Sequence, residues 1–476
     1  MKRLNELYDC EYDVKIKGIK INSKECEKGD LFVCTMGVNA DRHDYVDDAI
    51  SNGAVAIVAS KKIDVDVPVI YVDNTNDELP LLCAKFYDHP EETIKIYSVT
   101  GTDGKTSTST IVQYLLGADT CGYIGTNGRS CAKFKKDTNN TTPDTDKLYE
   151  YFREFLDAGC DSVMMESSSE AFFRGRLKTI SYDIGAITNI TREHLNIHGS
   201  FENYIECKCM QFKQVKKDGT CILNKDDEFY DKVLEACSNK KVLTYGKGKD
   251  NTLQIKKIDI QNTKTDITYV YEGKEYLIES PLLGEFNAYN LACGLLIALA
   301  TGKTMEEIIP NIKDINVDGR LDVLPNYGQD FTVMIDYAHT PNGISNLLKF
   351  VHTLKVKRSI VVIGSAGERD FLKRPLMGRT VVENASYAIF TYEDPRSEDP
   401  LDIINMMVSE IDDPSKYEVV VDREEAIKRA IYIAKKDDIV LVLGKGDETY
   451  EKLKDKVIYF NDIEVATKYL KERYKK

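Results

Sequence analysis

A glycine-rich turn that carries a lysine offers the clearest chemistry in this sequence. Residues 99–108 read VTGTDGKTST, after an apolar run typical of a buried strand and before a stretch typical of a helix. Glycines let backbone N–H groups approach phosphate oxygens, and a helix N-terminus adds positive partial charge. Lys105 would reach the β- and γ-phosphates, and Thr106 would offer its hydroxyl to Mg²⁺. The turn predicts a nucleoside triphosphate site built from Gly101, Thr102, Asp103, Gly104, Lys105, Thr106 and Ser107.

The turn departs from the usual phosphate-loop pattern G-x-x-x-x-G-K-[ST] at one position, because its first glycine would fall at Val99. An ordinary glycine-containing turn between a strand and a helix is therefore the alternative. The order of strand, Gly-Lys-Thr and helix favours the nucleotide site.

A second candidate is the carboxylate of Glu166, which ends the apolar run 161–166. Ligands of open α/β sheets bind at the carboxyl ends of strands, where we expect both Glu166 and Asn189 to lie. Mg²⁺ prefers oxygen ligands, so Glu166 would hold a metal ion beside the triphosphate. A solvated acid at a strand end is the alternative.

Two of the six histidines, His194 and His198, stand four residues apart, and Lys208 follows. The spacing H-x-x-x-H alone suggests a zinc pair, but no general-base glutamate occupies its second position. No third ligand follows at the usual spacing. The residues by themselves therefore favour a core or surface role.

Strand-like and helix-like stretches alternate along the chain, which predicts an α/β protein. With 476 residues the chain is too long for one core, and the usual domain size suggests about three domains. We place these domains at residues 1–93, 94–322 and 323–476. In the third domain we expect strands at 331–335, 359–363, 387–390 and 439–443.

The composition is that of a soluble globular protein, for which we expect a cytoplasmic location. The chain is 42% hydrophobic and 30% charged, and no apolar run approaches the roughly 20 residues that span a bilayer. The N-terminus lacks the apolar segment of a secretory signal, and the scattered cysteines are expected to be reduced. A net charge of −14 argues against a nucleic-acid partner, because binding to a phosphate backbone needs a basic surface.

Several motifs occur in the order found in one family. The phosphate loop resembles T-G-T-N-G-K-T with Asp103 in place of Asn, and residues 189–199 resemble N-x-x-x-D-H-L-D-x-H-G. Residues 336–341 resemble D-Y-A-H-T-P, and residues 364–375 resemble G-x-G-G-D-R-D…K-R-P. The chain thus resembles the ATP-dependent Mur ligases, and among them the MurE type. This resemblance implies a three-domain α/β architecture with a central P-loop parallel-sheet ATPase domain and a Rossmann-like C-terminal domain.

The resemblance also implies roles for residues outside the phosphate loop. Asn287 would contact adenine, Arg320 would reach the γ-phosphate, and Asp336 would lie by the nucleotide. Lys208 falls where the family carries a carbamylated lysine, a carboxylate-like ligand for a second Mg²⁺. The implied metal ligands are Thr106, Glu166, His198 and Lys208, and the implied catalytic residues are Lys105, Glu166, Lys208 and Arg320.

The resemblance also implies which residues contact the UDP-sugar and its peptide. Arginine suits the D-glutamate carboxylate because its planar fork binds carboxylates bidentately. The family's S-S-H-A has Glu170 in place of His, which is a local departure. The implied contacts of the UDP-sugar and its peptide are Ser23, Thr141, Thr142, Ser168 and Arg176.

Residues 393–396 read Glu-Asp-Pro-Arg and resemble the D-N-P-R signature of relatives that add meso-diaminopimelate. Diaminopimelate carries a second carboxylate that arginine would pair, whereas lysine ends in an ammonium group. Residues 444–448 resemble G-K-G-H-E, whereas the first two residues of 393–396 add negative charge beside the amino acid. We favour diaminopimelate over L-lysine. The implied amino-acid site consists of Arg369, Glu393, Asp394, Arg396, Gly444 and Glu448.

The implied reaction is amide formation through an acyl phosphate. ATP would phosphorylate the terminal carboxylate of UDP-N-acetylmuramoyl-L-alanyl-D-glutamate, and the amine of the diamino acid would displace the phosphate. The three domains would bind the UDP-sugar, ATP and the amino acid in that order, in a monomer with no membrane partner. Alternatives are the same reaction with L-lysine, a folylpolyglutamate synthetase-like ligase, a switch GTPase, and a non-catalytic Mur-like binding protein that would lack Lys105, Glu166 or Lys208.

Overall fold

Helices and strands alternate through the chain in a computed structural model, which describes residues 1–37, 40–138, 140–261 and 263–474. The chain as far as β12 contains β1 (Lys2–Arg3), α1 (Leu4–Leu7), β2 (Lys15–Ile16), β3 (Ile19–Lys20), β4 (Asp30–Val33), α2 (Val46–Ser51), β5 (Ala54–Ala59), β6 (Val69–Tyr71), α3 (Thr75–Phe86), α4 (Pro90–Thr93), β7 (Lys95–Thr100), α5 (Lys105–Leu116), β8 (Cys121–Gly125), β9 (Gly128–Cys131), β10 (Phe134–Lys136), α6 (Thr145–Ala158), β11 (Ser162–Glu166), α7 (Ser169–Phe173) and β12 (Tyr182–Ile187).

The remainder of the chain continues the alternation. It contains α8 (Leu195–His198), α9 (Phe201–Lys213), β13 (Val215–Asn224), α10 (Tyr230–Cys237), β14 (Lys241–Gly246), β15 (Leu253–Ile260), β16 (Thr265–Tyr271), β17 (Lys274–Ser280), α11 (Glu285–Ala300), α12 (Met305–Ile308), β18 (Asp322–Val323), β19 (Thr332–Asp336), α13 (Pro341–Thr353), β20 (Ser359–Ile363), α14 (Lys373–Asn384), β21 (Tyr387–Phe390), α15 (Pro400–Val408), β22 (Tyr417–Val419), α16 (Arg423–Ile433), β23 (Ile439–Leu443), β24 (Tyr450–Lys452), β25 (Val457–Tyr459) and α17 (Asp462–Tyr474).

The chain forms two compact units. The first unit consists of residues 1–98 and 117–183, and the second unit consists of residues 99–116 and 184–476. The boundaries fall inside β7 and β12, so the glycine-rich turn and α5 belong to the second unit. The domain boundaries expected at residues 93 and 322 stay a prediction.

In the first unit, a small parallel sheet has the order β3-β4-β5-β6. Buried residues of β4, β5 and α2 form its core, including Phe32, Ile57 and Val46. A further set of strands pairs β11 with β8 in parallel, and β8, β9 and β10 continue as an antiparallel meander. The α/β character expected for the first 93 residues is thus present.

In the second unit, β13, β14 and β15 pair in parallel, and β15, β16 and β17 form an antiparallel meander. Helix α11 is buried along most of its length, from Asn287 to Ala298, and packs against α5. Helix α5, which follows the glycine-rich turn, therefore packs against a largely apolar helix.

The C-terminal sheet has the order β18-β19-β23-β20-β21-β22 and is parallel apart from β18. Side chains of β20 alternate between two cores: Val361 and Ile363 pack with α13, α14 and α15, whereas Ile360 and Val362 pack with α16 and α17. Covered on both faces, this sheet confirms the expected Rossmann-like architecture, and three of its four predicted strands have the observed bounds.

The strand predicted to reach Asn189 ends at Ile187 instead. Thr188 and Asn189 leave the sheet because they bond the glycine-rich turn: the Thr188 hydroxyl donates to the Asp103 carbonyl at 2.6 Å, and the Asn189 amide donates to the same oxygen at 3.0 Å. Of the helices that the structure describes, none combines the length and apolar character required to cross a membrane.

Candidate functional site

The glycine-rich turn lies between β7 and α5, as its sequence predicts. Gly101 and Gly104 have φ values of 149° and 85°. A Cβ atom at Gly101 would lie 1.9 Å from the Thr188 hydroxyl oxygen, and one at Gly104 would lie 2.3 Å from Oδ1 of Asn290. Only glycine fits at these two positions, so the backbone of the turn can approach a ligand closely. Such a cradle fits the phosphates of a nucleotide.

Asn189 fixes the shape of the turn. Its side-chain oxygen accepts a hydrogen bond from the backbone N–H of Asp103 at 3.0 Å, and its backbone carbonyl accepts from the N–H of Thr102 at 2.9 Å. The Thr102 hydroxyl is itself held by Thr191 and by the hydroxyl of Tyr204 at 2.9 Å. The segment after β12 therefore shapes the turn, whereas the sequence predicted only that Asn189 lies at the carboxyl end of a strand.

Lys105 lies at the first position of α5 and folds over its own turn. Its ammonium group donates to the carbonyls of Gly101 at 2.9 Å and Thr102 at 3.0 Å. A flexible side chain anchored there can exchange these carbonyls for phosphate oxygens. Thr106 is buried beside it, which is the position that a metal-binding hydroxyl would need.

Lys208 lies on α9 with 1% of its surface exposed. Among the described residues no carboxylate forms an ion pair with it, and its nitrogen lies 4.5 Å from the ring centroid of Tyr204. Burial, reinforced by the charge of Lys105, lowers the pKa of Lys208 well below its usual value. A neutral buried amine is a nucleophile, so the environment suits the carbamylation that the family resemblance implies.

His194 belongs to the histidine pair that the sequence offered, but the resemblance does not include it among the implied metal ligands. Burial, followed by the charges of Lys373, Lys105 and Lys208, lowers the pKa of His194 well below its usual value. It is therefore a neutral imidazole among three lysines, as a metal ligand must be. His198, which the resemblance proposed, is buried with its ring 5.3 Å from that of Tyr204. The motif contained both histidines, and only the fold distinguishes their surroundings.

Two asparagines connect the turn to α11. Asn287, the proposed adenine contact, donates to the Leu283 carbonyl at 2.9 Å and accepts from Asn290 at 3.0 Å. Oδ1 of Asn290 in turn faces Gly104. The proposed adenine contact and the phosphate cradle are thus linked through a single side chain.

Asp336 ends β19 and accepts hydrogen bonds from the backbone N–H groups of Leu321 at 2.8 Å and Ala338 at 2.7 Å. Burial raises the pKa of the Asp336 carboxyl, and the charge of Arg320 opposes that rise. The Arg320 guanidinium stacks 4.3 Å from the ring centroid of Tyr337. The structure therefore brings Arg320 and Asp336 together.

In the first unit, Glu166 is fully buried at the end of β11. Its Oε1 accepts from the Tyr123 hydroxyl at 2.8 Å and from the N–H of Thr126 at 3.0 Å. The Thr142 hydroxyl donates to the Glu166 carbonyl at 2.8 Å and accepts from the N–H of Ser168 at 2.9 Å. A buried carboxyl group whose oxygens are oriented by such donors suits a metal ligand.

Arg176 joins this set, since its guanidinium donates to the Thr142 carbonyl at 3.2 Å and pairs with Asp144 at 2.7 Å. Thr141 also lies here, with its hydroxyl 3.0 Å from that of Thr126. Ser23 is buried in a 3₁₀ turn before β4. Glu170, which departs from the family motif, pairs with Arg174 at 2.6 Å, so its charge is balanced locally.

The residues predicted to bind the amino acid follow the carboxyl ends of β20, β21 and β23 in the C-terminal sheet. In this sheet β20 pairs with both β21 and β23. Lys445 is fully buried and donates to Asp394 at 2.9 Å and to Glu448 at 3.1 Å. Glu393 packs so closely on Gly444 that a Cβ there would lie 2.5 Å from its Oε2. Burial raises the pKa of the Glu393 carboxyl, and Lys445 opposes that rise. The negative charge that the sequence adds here is therefore compensated by a buried lysine.

Lys452 is a cation that sequence reasoning missed. Its carbonyl accepts from the N–H of Arg396 at 3.0 Å, and its N–H donates to Asp394. Burial lowers the pKa of Lys452, as do the charges of Arg396 and Arg369. The charges of two arginines thus reach Lys452, as do those of Asp394 and Glu448, which oppose them, and a cluster of arginine and lysine suits a carboxylate ligand. Lys452 lies in β24, where the sequence offered no motif.

Three family models match the chain in succession. Residues 15–87 match "Mur ligase family, catalytic domain", residues 99–298 match "Mur ligase middle domain", and residues 319–446 match "Mur ligase, glutamate ligase domain". Together these segments include the phosphate loop, both histidines and the edge of the C-terminal sheet.

Known proteins resemble the chain over its full length. A Bacillus cereus protein named UDP-N-acetylmuramoyl-L-alanyl-D-glutamate--2,6-diaminopimelate ligase is 36% identical, covering 98% of this chain and 97% of its own. A solved structure of a ligase of the same name has a TM-score of 0.65 at 26% identity and covers 99% of each chain. MurF ligase from Thermotoga maritima in complex with ADP has a TM-score of 0.69 at 18% identity, covering 100% and 99%, and shares the fold. This chain belongs to the Mur ligase family.

Proposed function

We propose that this chain is an ATP-dependent ligase that adds meso-2,6-diaminopimelate to UDP-N-acetylmuramoyl-L-alanyl-D-glutamate in peptidoglycan synthesis. The name of its 36%-identical relative supports the reaction. The observation that carries the choice of amino acid is the gathering of Arg369, Arg396 and Lys452, because a distal carboxylate would pair with these cations and a distal ammonium would not. A monomeric state and a cytoplasmic location stay predictions.

In this proposal the phosphate loop holds ATP through the backbone around Gly101 and Gly104. Lys105 moves from its loop carbonyls to the γ-phosphate, and Arg320 stabilises the charge that develops there. The terminal carboxylate of the UDP-linked dipeptide attacks the γ-phosphorus, ADP leaves, and an acyl phosphate forms. The amine of diaminopimelate then attacks the acyl carbon, phosphate leaves, the amine loses a proton, and an amide bond remains.

Mg²⁺ would neutralise charge on the phosphates when bound, held by residues chosen from Thr106, Glu166, His194, His198 and Lys208. These residues fit the ion, since Glu166 offers carboxyl oxygens oriented by hydrogen bonds and the lowered pKa of His194 favours the neutral imidazole. Lys208 would contribute an oxygen after carbamylation. Asn287 would contact adenine, and Asp336 would keep Arg320 near the nucleotide.

The UDP-sugar and dipeptide would contact Ser23, Thr141, Thr142, Ser168 and Arg176. Arg176 would receive the D-glutamate carboxylate in place of Asp144, its present partner at 2.7 Å. A bidentate arginine contact then fixes the orientation of the peptide.

The reaction is tested by phosphate release from ATP in the presence of the UDP-linked dipeptide with meso-diaminopimelate, L-lysine or no amine. We expect release to depend on diaminopimelate, with L-lysine at least about 100-fold poorer in kcat/KM, because its ammonium would face three cations without a carboxylate to pair them. Mass spectrometry of the product identifies the amide. Preference for L-lysine would contradict the choice of amino acid, and absence of amine-dependent release would contradict the ligase.

Removing either of two cations should reduce selectivity for diaminopimelate. For Arg396→Ala we expect kcat/KM for diaminopimelate to fall about 100-fold, and for Lys452→Met about tenfold, since each loses a charge-assisted contact worth roughly 1.5–3 kcal/mol. The activity with L-lysine should rise or stay constant in both variants. Lys454→Met, two residues along and exposed, is the matched control. Equal losses with both amines would mean that these cations do not read the distal carboxylate.

A further inference from the structure

The side chain of Asp103 points away from the phosphate cradle and towards the start of α13. Its Oδ1 accepts a hydrogen bond from the Thr340 hydroxyl at 2.9 Å, and its Oδ2 accepts from the side-chain amide of Asn342 at 2.8 Å. The family motif has Asn at this position, and an added negative charge in a phosphate loop would repel a nucleotide. Here both carboxylate oxygens are occupied by donors from the C-terminal half of the chain.

The contact suits a carboxylate, because both partners act as donors. Thr340 caps α13, and its oxygen accepts from the N–H of Gly343 at 2.9 Å, so its single proton is available for Asp103. The amide of Asn342 donates to the second oxygen. An asparagine at position 103 that still accepts from Thr340 would turn its NH₂ group towards Asn342, and the amide of Asn342 would have to turn over to accept from it, without the charge of the present contact. The 13-residue helix α13 adds the positive end of its dipole, which favours an anion.

Two further hydrogen bonds connect residues 193–195, which follow β12, with residues 370–373, which follow β20 of the C-terminal sheet. Lys373 donates to Glu193 at 2.9 Å with both side chains buried, and the N–H of Leu195 donates to Asp370 at 3.1 Å. All of these residues lie in the second unit, and so do Asp103 and Asn342. The contact of Asp103 is distinct because it begins on the phosphate loop itself.

We propose that Asp103 is a positioning residue that couples the phosphate loop to the C-terminal amino-acid site through Thr340 and Asn342. Helix α13 follows β19, and β19 pairs with β23, whose carboxyl end leads to Gly444 and Glu448. The Asp103 contact therefore holds the phosphate donor in register with the edge that would bind the incoming amine. The expected kinetic effect rests on the proposed function. The contact between the phosphate loop and α13 does not depend on that function.

The test is a reciprocal exchange with D103N, N342A, N342D and D103N/N342D. We expect D103N, N342A and N342D each to lower kcat/KM for the diamino acid about tenfold, the usual effect of losing one charge-assisted hydrogen bond. The dissociation constant for ATP, measured by calorimetry, should change less than about twofold, since the loop backbone and Lys105 remain. The double variant restores the carboxylate–amide pair with its members exchanged and should recover to within about threefold of the parent.

Lys349→Ala, an exposed position on the same helix, is the control and should match the parent. Hydrogen exchange at residues 340–345 supplies a readout that needs no ligation: D103N and N342A should raise it, and the double variant should lower it again. Parent-like kinetics and exchange in N342A, or a double variant no better than D103N in both readouts, would overturn the coupling. A parent protein without ligase activity would refute the proposed function alone, because the exchange measurement still decides the coupling.

Discussion

Lys105→Ala is expected to lower kcat for ligation by about 100- to 1,000-fold, the usual cost of removing one preorganised group that stabilises charge in the transition state. The side chain of Lys105, at the first position of α5, donates to the carbonyls of Gly101 and Thr102 in its own turn, as described above. The ammonium group lies at the phosphate cradle, where it can exchange these carbonyls for oxygens of the γ-phosphate. Phosphate release with the dipeptide and diaminopimelate measures the loss.

Lys95→Ala is the matched control, because Lys95 is exposed at the start of the strand that leads into the turn. Its activity should equal that of the parent. Circular dichroism and thermal unfolding of Lys105→Ala should resemble those of the parent, since Lys105 is half-buried at the start of α5 and alanine favours a helix. A Lys105→Ala variant with parental kcat would exclude the phosphate role and with it the proposed mechanism.

Lys208→Ala is expected to lose at least about 100-fold in kcat, because the variant cannot form the carboxylate-like ligand that carbamylation would supply. Burial lowers the pKa of Lys208, so a larger fraction of its amine is neutral near neutral pH than for an ordinary lysine, and a neutral amine reacts with carbon dioxide. Short carboxylic acids such as acetate should partly restore activity to the alanine variant. Labelled bicarbonate should give a carbamate signal in nuclear magnetic resonance of the parent that Lys208→Ala lacks.

Lys213→Ala, exposed on the same helix α9, controls for the loss of a lysine and should keep the labelled signal and full activity. Removing bicarbonate and carbon dioxide from the buffer should lower the activity of the parent and leave the residual activity of Lys208→Ala unchanged. A parent with no carbamate signal and no bicarbonate dependence would contradict the modification.

The sequence determined those features that depend on neighbours along the chain. The strand, glycine turn and helix around Lys105 follow from apolar patterning and from glycine's access to positive φ, and the C-terminal strands follow from continuous apolar runs in a doubly covered sheet. The family resemblance could be identified from the sequence for the same reason, because the family's motifs are short local segments in a fixed order.

The tertiary structure alone decided which charges balance. In the sequence, the negative charge of Asp394 disfavours a carboxylate ligand. In the structure, Lys445, 51 residues away, pairs with Asp394 and balances that charge. Lys452 lies near the arginines because the backbone of β24 forms a hydrogen bond with Arg396. Asp103, an unexplained acid in a phosphate loop, meets donors more than 230 residues away at Thr340 and Asn342. Pairings between distant segments depend on how the sheets and helices pack, and local sequence patterns contain no record of that packing.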